Sequence, residues 1–178
     1  MNNSRNHSKS KKEQPTPNPF EIEPLMKKVD LQNEELTPFD QNINYILLTQ
    51  KIKEMLNTKD DSESNKNDWT MKLASINYLR RLFKFEKAVF DQAFYGLKLY
   101  ETVANLINTT RSVLAKNILL LLDEILNNKT PNEKIQNSLE SLIKLVIPVL
   151  VSKINSNQSF IKNEANSCLD DIINNINS

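Results

Sequence analysis

The chain has 178 residues, enough for one domain with a modest core. Its 23 basic and 22 acidic residues are interspersed and leave a formal charge of +1, so no global field points to nucleic acid. The single glycine, Gly96, excludes phosphate cradles and dinucleotide folds and argues against tight hairpins, while one histidine (His7) and one cysteine (Cys168) argue against zinc centres, a Ser-His-Asp triad and any intrachain disulfide.

Residues 1–20 are polar and Pro-punctuated (Pro15, Pro17, Pro19) with a loose basic cluster at Arg5, Lys9, Lys11 and Lys12, and they predict a disordered tail. They hold no apolar signal core. Residues 21–35 read as a linker, and residues 36–178 as the folded domain. Thr37-Pro38 predicts a helix start, with the helix running to Leu56 on Ile43, Ile46, Leu47 and Ile52. Residues 58–67 read as a polar loop.

A second helix starts near Trp69, with Leu73, Ile76, Leu79, Leu82 and Phe83 on one stripe and Lys72, Arg80 and Arg81 off it. Residues 87–107 predict one further helix. Thr110 is placed to cap the next, which is apolar nearly all round from Val113 to Leu126, as befits the middle of a stack. Residues 135–154 predict a helix kinked at Pro148, and residues 159–176 a last helix. The apolar runs at 118–122 and 145–151 are too short to span a bilayer, so no membrane partner is expected.

Three helix starts share one layout: a polar turn followed by an aromatic or basic residue, at Trp69, Arg111 and Lys162. Their spacing of about 42 and 51 residues lies near the period of about 40–47 of HEAT and armadillo repeats. Helix pairs stacked at that period put these turns on one edge, a surface for binding protein rather than for catalysis. Cys168 reads as buried filler, and Asp60-Asp61-Ser62-Glu63 and Asp170-Asp171 as solvated carboxylates without metal-binding spacing. No catalytic residues, metal site or cofactor are expected, and no enzyme activity.

The run Asp68-Trp69 with Lys72, Leu79-Arg80-Arg81-Leu82, Asn105-Leu106, Thr110-Arg111-Ser112-Val113, Phe160-Ile161-Lys162-Asn163-Glu164-Ala165 and Leu169-Asp170-Asp171-Ile172 resembles a TOG domain, most closely the CLASP and crescerin type. The resemblance implies an all-α solenoid of HEAT-like repeats, about half of the family's six-repeat paddle. It implies binding of tubulin or microtubules through the intra-repeat turns, with Trp69, Lys72, Arg111, Ser112 and Lys162 as contact residues. It further implies a cytoplasmic, cytoskeletal setting, with the cilium suggested by the crescerin type. Asn108-Thr109-Thr110 departs from the family pattern as an insertion before Arg111. The alternative is a helical scaffold for a non-tubulin partner. The order reads as a leading helix, helix pairs near 69–107 and 109–154, and a single last helix that lacks its partner, so self-association or continuation of the array through it is expected.

Overall fold

The computed structural model describes residues 21–58, 68–128 and 133–176. The polar tail, the Asp60–Glu63 carboxylates and the turn containing Pro131 lie outside the described residues. Among the described residues there are seven α-helices and no strand: α1 (Tyr45–Leu56), α2 (Asp68–Phe85), α3 (Lys87–Asp91), α4 (Leu99–Leu106), α5 (Ser112–Leu126), α6 (Glu133–Lys153) and α7 (Ser159–Ile176). This is the all-α helical repeat that the sequence predicts.

The helices form two layers. In one, α5 lies between α2 and α7; in the other, α4 contacts α1 and α6, and α1 and α6 close against α2 and α7. The first layer has a constant register. Arg80 on α2 pairs with Glu124 on α5, Ser167 on α7 with Asp123, and Asn127 on α5 with Asp171, each 44 residues apart. A constant offset of one sign means that α2, α5 and α7 run parallel, one repeat per 44 residues. The expected all-round burial of α5 holds: Leu114, Ile118, Leu119, Leu121, Leu122 and Ile125 are each essentially inaccessible.

Three elements differ from the sequence reading, each for a local reason. The first helix starts at Tyr45, capped by the Asn44 side chain, which accepts from Leu47 N–H at 3.1 Å. Thr37 and Pro38 do not begin it, because their carbonyls accept from the Arg81 guanidinium at 2.7 Å each, and the Phe39 ring lies 4.1 Å beneath that guanidinium. Residues 87–107 are not one helix. After α3 the backbone widens into a π-turn (Gln92–Gly96), then Lys98 takes a left-handed conformation (φ 55°) before α4 begins. The break lets Phe90, Phe94, Tyr95 and Tyr100 pack their rings together across the corner.

The third difference is the stretch read as a linker. Residues 22–38 form a strap laid across α2, with two short 3-10 turns (Pro24–Lys27 and Asn33–Glu35). Met26, Leu31 and Leu36 are buried within the core.

Pro148 lies inside α6. By length and composition the stretch Ile135–Lys153 could cross a membrane, which the short apolar runs did not suggest. Here it packs on α4 and α7, burying Leu142, Val146 and Leu150 at an i, i+4, i+8 spacing while Leu145 and Val151 stay exposed.

Candidate protein-interaction edge

The parallel register brings the N-terminal ends of α2, α5 and α7 to one edge of the first layer. Trp69 is in the first turn of α2 and is half-buried, with one side against the core. Arg111 is the N-cap residue of α5; it is exposed and its guanidinium carbon sits 5.9 Å from the Trp69 ring centroid. This is cation–π range, so the two groups form one composite surface element. Thr109 Oγ1 accepts from Arg111 N–H at 3.2 Å, which fixes the turn entering α5. This turn leaves Arg111 beside Trp69. No side chain caps the start of α5, so its leading N–H groups and the positive end of its dipole face this edge. Ser112, the first residue of α5, is half-buried beside them.

The third turn contributes differently from the expectation. A 44-residue step from Lys116 on α5 leads to Phe160 on α7, and the Lys116 ammonium lies 5.5 Å from the Phe160 ring centroid. The aromatic–cation pair of the first two turns is therefore repeated between the second and third, one turn deeper along α5. Phe160 is 37% exposed and Lys162, two residues on, is exposed. Lys162 sits within α7, whereas Arg111 precedes α5, so the two are not equivalent positions in the repeat. Lys72 is only 5% exposed and does not stand on the edge as a solvated cation. Periodicity missed Lys116 because a lysine on a helix reads as a solvated face; a fixed 44-residue offset, set against Phe160, was the available signal.

Behind the edge, the face between α5 and α7 is acidic. Ser167 Oγ donates to Asp123 at 2.9 Å and Asn127 Nδ2 to Asp171 at 3.0 Å. Burial, then the Asp123 carboxyl beside it, raises the Asp171 carboxyl above its ordinary range. Glu164 is raised for the same two reasons, with Lys116 opposing. Cys168 is buried there, its thiol 3.5 Å from Leu119 O, and burial raises its pKa far enough to keep it a thiol. The buried-filler reading fits this placement.

A cleft of about 380 Å³ opens at the other end of α2, lined by Asn33, Phe83, Lys84, Lys87, Glu124 and Asn128. Glu124 Oε1 is committed to Arg80, whose Nε and Nη2 lie 3.0 and 2.8 Å away. Among the described residues no cluster of His, Cys, Asp and Glu has the makings of a metal site.

Fold and edge together define a class: a HEAT-like helical repeat whose intra-repeat turns carry aromatic and basic side chains. The family model described as CLASP N terminal matches residues 48–178, most of the chain, and the protein belongs to that family of TOG-like, microtubule-associated domains. No curated protein and no solved structure matches it.

Proposed function

We propose that this chain binds tubulin, free or in the microtubule lattice, through the edge made by the starts of α2, α5 and α7. The observation that carries the proposal is the Trp69–Arg111 pair: an indole face held at 5.9 Å under an exposed guanidinium, at the first two intra-repeat turns of a CLASP-type domain. In this reading Trp69 supplies the apolar anchor, since aromatic side chains that a partner desolvates dominate interface energetics. Arg111 and Lys162 steer an acidic partner, and the uncapped start of α5 beside Ser112 adds a fixed positive potential. Lys72, buried under the first turn, supports the edge rather than touching the partner. Lys116 with Phe160 extends the contact toward the third repeat. The function is association, not catalysis, in the cytoskeleton; the crescerin-like motifs extend the proposal to the cilium. Co-sedimentation of the protein with microtubules, beside gel filtration with free tubulin, tests it. Binding to either supports the proposal, and binding to neither sinks it.

The half-burial of Trp69 favours one other reading, a helical scaffold that uses the indole as core and docks a non-tubulin protein elsewhere. A Trp69→Ala variant that loses stability but keeps partner binding would select it.

A further inference from the structure

The strap at residues 22–38 is attached in an unusual way. Most of the hydrogen bonds from the α2 side chains beneath it go to its main chain. Asn77 Nδ2 donates to the carbonyls of Met26 (2.9 Å) and Lys28 (3.2 Å). Arg80 Nη1 donates to Leu31 O (2.7 Å), Lys84 Nζ to Asn33 O (2.5 Å), and Arg81 Nε and Nη2 to Thr37 O and Pro38 O (2.7 Å each). Four side chains on one helix face thus read six backbone carbonyls of a segment that alternates short turns with extended stretches. Specificity comes from three apolar residues five apart, Met26, Leu31 and Leu36, all buried, and from two carboxylates: Glu23 on Arg81 (2.7 Å) and Asp30 on Lys116 (2.8 Å).

Two further observations separate the strap from the domain it covers. Its own hydrogen-bonded structure is confined to local turns, and it is tied to the domain through its N–H groups at Glu23 N, which donates to Tyr78 Oη at 3.3 Å. The region matched by the family model also begins at residue 48, after the strap.

We propose that the outer face of α2 and α5 is a groove for a peptide, and that residues 22–38 occupy it in cis as a releasable plug. The ligand is a segment of alternating turns and extended stretches with apolar side chains at i, i+5 and i+10 and an acidic residue just before the second of them, the chemistry of Met26, Asp30, Leu31 and Leu36. Main-chain reading of this kind recognises the course of the backbone, and the pockets and cations select the sequence. This groove does not include the Trp69–Arg111 pair; it borders the edge at Lys116, whose ammonium meets both Asp30 and the Phe160 ring.

The test has two arms on the full chain. Hydrogen exchange of the wild type should show strap amides, such as those of Met26 and Leu36, at least about tenfold less protected than amides in the middle of α5, the mark of a sub-global opening. A fluorescent synthetic peptide of residues 21–40 should bind poorly to wild type and saturably to the Leu31→Asp variant, whose own strap is expelled, while the same peptide carrying Leu31→Asp binds neither. Equal protection of strap and α5 would overturn the proposal. So would a folded Leu31→Asp protein that fails to take up the peptide, or a Leu31→Asp protein that unfolds, since either makes the strap part of the core.

Discussion

Arg80 is 1% exposed and still charged, which is tolerable only because Glu124, Leu31 O and Asn117 Oδ1 surround its guanidinium. Removing the cation leaves the Glu124 carboxylate buried and uncompensated, so Arg80→Met should cost about 3–5 kcal/mol in urea unfolding. Glu124→Gln keeps an acceptor for Arg80 and should cost distinctly less; equal losses would show that the pair is not the source. The acidic α5–α7 face makes a second prediction. Asp171 and Glu164 have folded pKa values raised by burial and by Asp123. A carboxyl raised in the folded state contributes stability that is complete below its unfolded pKa and lost as pH rises through the folded one. An Asp171→Asn, Glu164→Gln double variant should therefore be more stable than wild type at neutral pH. The gap should close as pH falls toward about 4, where ordinary carboxyls protonate. Unfolding midpoints across that range check this, and a gap that widens in acid contradicts it. Glu35 works in the opposite direction: its hydrogen bond from Lys28 and then that from Gln32 N–H lower its pKa, so its contribution fades in acid.

At the scale of elements, apolar spacing located α2, α5, α6 and α7 to within a residue or two, because each buries a helical stripe that the sequence displays. What it could not display was a helix bent by ring packing. Phe90, Phe94, Tyr95 and Tyr100 satisfy a straight helical stripe and a broken one equally well, and only the corner they share decides. Nor could it show the strap, whose attachment runs from Asn77, Arg80, Arg81 and Lys84 to main-chain carbonyls. Polar side chains off the stripe read as solvated, and carbonyls leave no trace in a sequence. The corner carries its own prediction. Lys98 holds φ 55° without being glycine, a conformation that costs about 1–2 kcal/mol for a residue with a Cβ. Lys98→Gly should raise the unfolding midpoint by about 1 kcal/mol of stability. Gly96→Ala, where the nearest atom to an added Cβ is Gln92 Cγ at 3.9 Å, should not lower it. A destabilising Lys98→Gly would mean that the lysine side chain matters more than the backbone.

The whole molecule is a short stack of parallel first-layer helices in a 44-residue register, and that register is what turns three separate turns into one edge. In the sequence the edge's members stand at unequal spacings of about 42 and 51 residues, close enough to suggest the repeat and too uneven to pair them all: Trp69 with Arg111 was legible, while Lys116 with Phe160 was hidden behind Lys162. The last helix is not the unpartnered one that helix order suggested: α7 packs on both α5 and α6, and further along it Ile173 is 54% exposed. Tubulin contact through the edge is tested most directly by a titration of tubulin with wild type, Trp69→Ala, Arg111→Glu and Lys162→Glu at low and moderate salt, with circular dichroism as the folding control. Trp69→Ala should lose about 2 kcal/mol of binding or more, as interface aromatic anchors do. The two charge reversals should weaken binding most at low salt and leave the fold intact, since exposed charges act by steering and surface substitutions shift stability by only about 0.5 kcal/mol. Wild type that binds while all three variants bind equally well would contradict the account, and the tubulin contact would have to be sought on another face.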